Sequence, residues 1–330
     1  MNAPLAERAT LTHLELVLRQ VRMEATGINS YEFVDADGND LPAFTAGAHI
    51  DVHIAPGVIR QYSLCNSPEE RHRYVVAVLR DEAGRGGSRG MHETLHVPNR
   101  VRISVPRNNF PLAEGAKKII MLAGGIGVTP LKAMVHRLES KRVDYELHYC
   151  AKGPQYAAFE SELRSIARIG HIHCHFDGGD PKKGLNIAKL LKHPEADTHI
   201  YYCGPGGFMQ ACADAAAHWP SELVHCEHFK APVQKAPTTS DTPVEGYVVE
   251  LARSEKKLTV APDQNLAEVL QQAGAPVETS CQSGLCGTCK VRYLAGEVDH
   301  QDFILDESER QTVMTPCVSR CSGGTLVLDL

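Results

Sequence analysis

SCQSGLCGTC, residues 280–289, spaces three cysteines as C-x4-C-x2-C, and 27 residues separate Cys289 from the next one, Cys317. Two irons bridged by sulfide need four thiolates, and this is the spacing that holds such a [2Fe–2S] pair. Gly284 and Gly287 suit a loop that wraps closely around a cluster, because glycine adopts backbone conformations that let N–H groups point at sulfur. A structural zinc site would show two separated C-x2-C pairs, or one pair with histidines, and only Cys286 and Cys289 form such a pair. Cys281, Cys286 and Cys289 are thus candidate ligands, with a fourth supplied by Cys317 or by Cys321 four residues on.

The chain has 330 residues, long enough for two or three domains, and its 43% hydrophobic and 22% charged composition is that of a globular protein. Eleven cysteines is an odd number, and their bunching after residue 280 speaks for metal binding rather than a disulfide framework. Cys65, Cys150, Cys174, Cys203, Cys212 and Cys226 read as small buried hydrophobes. The N-terminal MNAPLAERAT lacks the apolar core of a signal peptide, and no apolar run is long enough to span a bilayer, so a cytoplasmic location is expected. From Ser240 onward there are 14 acidic against 7 basic residues, whereas the rest holds 26 against 27. That distribution excludes a basic nucleic-acid footprint; the acidic end is either a docking surface for a basic protein or a solubilising face.

Upstream, the chain alternates differently in each part. Residues 14–21, 49–54, 74–79 and 101–105 are short branched or alternating runs between turn residues, the pattern of an antiparallel barrel or sandwich. From residue 118 strands and helices alternate: strands at 118–122, 145–149, 171–176, 199–203 and 223–229, helices at 128–141, 156–167, 185–192 and 207–218. This predicts a parallel sheet covered on both faces. KAPVQKAPTTSDTP then reads as an extended linker. Beyond it come a hairpin of 247–251 and 257–260, a short helix over 265–273, and the cysteine loop. The expected domains are 1–113, 114–230 and 244–330, with a linker at 231–243.

Four further motifs carry chemistry. LAGGIGVTP, residues 122–130, follows a strand and opens a helix; Gly124, Gly125 and Gly127 allow close backbone approach, and free N–H groups there attract phosphate. A tight structural turn is the plainer alternative. Thr129 is expected as N-cap with Pro130 at the first helical position. The second strand ends in Ala151-Lys152 without an acidic ribose partner, for which Asp177 is a possible substitute. YYCGPGGFM places Cys203, Gly204, Pro205 and Met209 at the end of another strand, where ligands of such sheets bind. In the first segment, RQYS supplies a fixed cation at Arg60, a polar Gln61, an aromatic face at Tyr62 and a hydroxyl at Ser63. Arg85-Gly86-Gly87-Ser88 offers exposed amides and a hydroxyl of the kind that cradles phosphate; each of these two runs alone could be a surface turn.

R-x-Y-S, R-G-G-S, G-G-I-G-V-T-P and C-G-P-x-x-F/M in this order resemble the ferredoxin–NADP⁺ reductase superfamily. With the C-terminal cysteine loop, the chain is similar to the phthalate dioxygenase reductase family from about residue 11 to Leu330. The resemblance implies a multidomain fold: an antiparallel β-barrel flavin domain, an α/β parallel-sheet nicotinamide domain and an α+β β-grasp ferredoxin domain. MTPCVSRC resembles the plant-type ferredoxin strand that gives the last ligand, which makes Cys317 that ligand and Cys321 a bystander. By the same resemblance, Arg60, Gln61, Tyr62, Ser63, Gly86, Gly87 and Ser88 would hold FMN, and Val78, Leu79 and Arg80 would lie along it. Thr129 would sit near the reactive edge of the flavin, and Phe229 would stack where nicotinamide must enter. Gly124, Gly125, Gly127, Cys203, Gly204, Pro205 and Met209 would line NADH.

The function implied is a reductase for a Rieske-type aromatic-ring oxygenase, docking transiently through the ferredoxin domain, with no nucleic-acid or membrane partner and as a monomer. Electron flow of that kind runs downhill, since plant-type clusters lie near about −400 mV and Rieske centres at about −150 mV or above. A stand-alone NADH-dependent reductase with another acceptor is the alternative.

Overall fold

The computed structural model describes residues 12–84, 86–231 and 246–330. Two compact units divide between Glu227 and His228. The linker beyond residue 231 and Arg85 lie outside the described residues.

The first unit begins with β1 (His13–Ala25), β2 (Ile28–Val34), β3 (His49–Ala55), β4 (Val58–Ser63), β5 (Tyr74–Leu79), helix α1 (Gly87–Thr94) and β6 (Arg100–Ser104). The strands form one antiparallel sheet in the order β4-β3-β6-β1-β2-β5. A bridge between Leu64 and Val76 joins the outer strands and closes the sheet into a barrel. Side chains alternate in and out along a strand, so Leu16 and Leu18 of β1 meet Tyr31, Phe33, Ile50, Val52, Tyr74 and Val76 inside. Met91 and Leu95 of the α1 segment plug the same core. The sequence pattern shows no helix here, because GSRGMHET opens on glycine and buries only Gly87 and Met91.

There follow β7 (Lys118–Gly124), α2 (Val128–Lys141), β8 (Asp144–Ala151), α3 (Glu160–Ile166), β9 (His171–Phe176), α4 (Ile187–Leu190), β10 (Thr198–Cys203), α5 (Gly206–Ala216) and β11 (Val224–Glu227). All five strands are parallel, in the order β11-β10-β7-β8-β9. The chain therefore winds one way from β7 through β9 and the other way through β10 and β11, leaving a switch point between the C-terminal ends of β7 and β10. One face packs Tyr145, Leu147 and Tyr149 against Leu131, Met134 and Leu138 of α2. The other packs Ile120, Leu122, Ile200 and Tyr202 against Met209 and Cys212 of α5 and against Trp219. Barrel residues Ile28, Ala46, Cys65, Ala77 and Phe110 share a core with Met121 and Met134, so barrel and sheet form one unit. Lys132 fastens the joint: its buried ammonium donates to the Cys65 carbonyl at 2.9 Å and pairs with Glu162 at 2.8 Å.

Two predicted helices are shorter in the structure. Residue 159 takes a left-handed backbone (φ 62°), so α3 starts at Glu160 instead of 156, and α4 is a single turn. Thr129 lies inside the first turn of α2 rather than at its cap, because a 3-10 turn at Gly125–Gly127 already leads the chain in.

The second unit contains β12 (Tyr247–Leu251), β13 (Lys256–Val260), α6 (Leu266–Gln272), β14 (Val291–Ala295), β15 (Val298–Asp299), β16 (Val313–Met314), β17 (Arg320–Cys321) and β18 (Thr325–Leu328). Its main sheet runs β13-β12-β18-β14-β16, with β12 and β18 parallel and the other pairs antiparallel, while β15 and β17 form a separate ladder. Leu266, Ala267 and Leu270 of α6 pack on Val249, Leu251, Val260, Leu326 and Leu328. Asn265 caps α6 by accepting from Ala267 and Glu268, and its amide donates to the Cys317 carbonyl at 2.8 Å. That contact ties the helix start to the segment carrying the last cysteine.

Candidate functional site

In the cysteine loop Gln282, Gly284 and Gly287 all take left-handed backbone. Gly284 has a second reason to be glycine, since a Cβ there would meet Val318 at 2.8 Å and the Asp302 backbone at 3.0 Å. This coiling turns N–H groups inward. Those of Ser283 and Leu285 donate to Cys281 Sγ, and that of Thr288 donates to Cys286 Sγ, all at 3.4 Å. The Gly284 N–H reaches Cys317. Cys281 is partly buried; Cys286, Cys289 and Cys317 are buried.

The four sulfurs converge. Cys281 interacts with Cys286 and Cys317, and Cys317 with Cys289. The neighbouring Cys281 pushes the Cys286 thiol well above its ordinary range, and burial adds to this. Four thiolates at such separations repel strongly unless cations sit among them, while the inward N–H groups favour anionic sulfur. The donor set therefore fits a [2Fe–2S] cluster. Cys321 stands apart, its Sγ–H donating to the Gly323 carbonyl at 3.2 Å.

A second assembly lies at the switch point. Gly127 abuts the end of β10 so tightly that a Cβ would lie 2.1 Å from the Cys203 carbonyl oxygen and 2.7 Å from Gly204 N. A Cβ on Gly124 would meet Phe208 and Pro205 at 2.9 Å. The structure thus brings Gly124, Gly127, Cys203, Gly204 and Pro205 together, with Gly125 in left-handed backbone between them. Met209 is one turn into α5, its N–H donating to Pro205 and its side chain in the core. Thr129 is buried and donates to the Ile126 carbonyl at 3.0 Å. Asp177 ends β9 beside the Lys152 loop, its carboxylate accepting from Gly179 N at 2.7 Å.

The barrel end brings the RQYS strand against α1. A Cβ on Gly87 would fall 2.4 Å from Arg60 Cγ and 2.5 Å from its Nε, so glycine leaves the space that the arginine occupies. Gly86, the residue before α1, takes φ 81° and has no side chain with which to cap the helix. A guanidinium beside an uncapped helix start suits a phosphate. Among the described residues Gln61 Nε2 is buried without a partner, an unmet donor that a polar ligand would satisfy. Tyr62 is half-buried on the barrel core. These features fit a flavin phosphate and ring. The Ser88 hydroxyl accepts from Asp81 N at 3.0 Å. Val78 is buried in the barrel, Leu79 is exposed, and Arg80 is held by Glu82 and Glu93.

One group that the motifs do not reveal lies between the barrel and the sheet. Ser63 Oγ–H donates to Glu227 Oε2 at 3.1 Å. Burial pushes the Glu227 carboxyl from 4.5 up to about 7, with the Ser63 hydrogen bond opposing the rise. The Cys203 thiol, wholly buried, is also pushed well up. Phe229 follows β11, is exposed and belongs to the second unit.

Residues 249–322 match the model of the 2Fe-2S iron-sulfur cluster binding domain. The chain is 54% identical to the tert-butanol monooxygenase / tert-amyl alcohol desaturase reductase subunit of Aquincola tertiaricarbonis, over 97% of its own length and 96% of the relative's. It is 44% identical to the vanillate O-demethylase oxidoreductase of Pseudomonas sp. (strain HR199 / DSM 7063), over 96% and 100%. The solved structure of phthalate dioxygenase reductase, described as modular for electron transfer from pyridine nucleotides to [2Fe–2S], superposes with a TM-score of 0.70 at 38% identity, covering 96% of this chain and 98% of that one. A barrel, a doubly wound sheet and an iron–sulfur domain in one chain define a modular redox protein. The chain belongs to the phthalate dioxygenase reductase family.

Proposed function

We propose that this chain takes electrons from NADH and delivers them singly, through FMN and a [2Fe–2S] cluster, to the terminal component of a Rieske-type oxygenase. The observation that carries the reading is the four-cysteine loop, with inward N–H groups, in the same chain as the glycine-lined switch point and the Arg60–α1 cradle. When bound, FMN accepts the hydride's electron pair and the cluster relays single electrons. Arg60 and the α1 start anchor phosphate, and Gln61, Tyr62 and Ser63 orient the ring. Gly124, Gly127 and Gly204 let the nicotinamide nucleotide approach the backbone. Thr129 is a positioning residue held by the Ile126 carbonyl. Glu227, beside Ser63, holds a proton near neutral pH.

Cys281, Cys286, Cys289 and Cys317 are the ligands, and Cys321, occupied with Gly323, is not. The protein works as a cytoplasmic monomer that docks transiently through its acidic last domain. Among the described residues no helix is long and apolar enough to cross a membrane. The relatives serve oxygenases named for both an aromatic and an aliphatic substrate, so the partner's substrate is read from the partner. Anaerobic stopped-flow with NADH tests the route: bleaching of the flavin band should be followed by bleaching of the cluster band. A flavin reduced with the cluster left oxidised refutes it.

A further inference from the structure

The sheet face covered by α4 and α5 is apolar over β7 and β10, with Val224 of β11 packed beside them. On β8 and β9 the same face carries Glu146, His148 and Cys150 opposite His171, His173 and His175, because the parallel register pairs them in that order. The spacing along this patch is specific. Glu146 Oε1 is held by the Lys118 ammonium at 3.0 Å, and Oε2 lies 3.4 Å from His148 Nε2. His148 Nδ1 lies 3.1 Å from His175 Nε2, and the His173 ring stacks on His148 with centroids 4.9 Å apart. One ligand atom from each of Glu146, His148 and His173 lies within 4.8 Å of the others.

We propose that Glu146, His148 and His173 form a binding site for a divalent transition-metal ion of the zinc class, bridging β8 to the outer strand β9. A tetrahedral ion bound at about 2.0–2.1 Å sets neighbouring ligand atoms about 3.3–3.4 Å apart, the separation already present between Glu146 and His148. Exposed His173 closes the remaining gap by rotating its ring, and its exposure provides the entry path. The outer partners are in place as well. A proton on His148 Nδ1 donates to His175 and leaves Nε2 as the lone pair, while Lys118 fixes the unused carboxylate oxygen. Two imidazoles and one carboxylate select zinc, nickel, cobalt or copper over calcium and magnesium, which prefer all-oxygen sets. The fourth position is left to water. Glu146, His148 and His173 lie inside their strands, away from the C-terminal edge where Gly124 and Gly204 meet, so the ion braces the sheet and takes no part in NADH oxidation.

The test uses tag-free full-length protein with flavin and iron content verified, titrated with Zn²⁺ alone by equilibrium dialysis and metal analysis. One zinc per chain should bind with iron content and the cluster's visible band unchanged. His173→Ala, at an exposed position, and Glu146→Gln should each weaken binding more than tenfold, and His175→Ala about 10- to 100-fold as an outer partner. His171→Ala should leave binding unchanged. Zinc should raise the unfolding temperature of the wild type but not of His173→Ala. The proposal is overturned by affinity unchanged in His173→Ala, by equal losses in His171→Ala and His173→Ala, or by zinc uptake matched by loss of iron.

Discussion

Glu227→Gln should stabilise the first unit, and more so as pH rises. The glutamate carboxyl moves from 4.5 in the open chain to about 7 in the folded protein, burial being the cause. Between those values the folded state keeps a proton that the unfolded state has released, so stability falls as pH rises through the window. Below about pH 4.5 the penalty is absent; above about pH 7 it is complete. At 1.36 kcal/mol for each tenfold step in proton affinity, the shift corresponds to about 3 kcal/mol. Glu227 keeps some solvent contact, which screens the charge, and about 1–2 kcal/mol is the expected size. Glutamine preserves the volume and an acceptor for Ser63, so the comparison isolates the charge. The chain has one tryptophan, Trp219, packed in the core of the parallel-sheet domain with its indole N–H donating to the Leu191 carbonyl at 2.7 Å. Urea unfolding followed by tryptophan fluorescence therefore reports this unit. The variant's advantage should be small at pH 5 and reach its full value at pH 8. An advantage independent of pH, or one that shrinks toward pH 8, refutes the reasoning.

Gly127→Ala drives a methyl into the Cys203 carbonyl, where backbone on both sides must move; it should cost about 1–3 kcal/mol in urea unfolding and raise KM for NADH at least tenfold. Gly87→Ala displaces the Arg60 stem, a flexible side chain, so FMN affinity measured by flavin fluorescence should fall about tenfold while urea stability changes little. Cys317→Ser should lose the visible cluster bands and Cys321→Ser keep them, with the reverse outcome reassigning the fourth ligand.

Much of the fold is written in local pattern. The limits of β5, α2 and β9 coincide with the sequence reading because each is bounded by turn residues or a change of period. The ends of α3 are not legible, since its start depends on the left-handed backbone at Phe159 and not on the helical periodicity that extends back to 156. The glycine and cysteine motifs could be seen because their chemistry needs adjacent residues. Glu227 could not, because its partner Ser63 is 164 positions away and the packing of barrel on sheet brings the two together. The histidines of β9 alternate visibly, but Glu146 and His148 join them only through the register of β8.

The proposed role of Cys317 as the last cluster ligand has a consequence for the lifetime of the protein. The loop at 281–289 and Cys317 belong to different stretches of the second unit, and Asn265 ties the latter to α6. Iron shared between them would act as a covalent staple, closing a chain loop whose restraint on the open state is worth about 3–4 kcal/mol by analogy with a disulfide of similar span. Oxidative destruction of the cluster would then do more than silence electron transfer. It would release the staple and leave a small domain to hold itself together on its apolar contacts alone, so damaged molecules would unfold and be cleared sooner than intact ones.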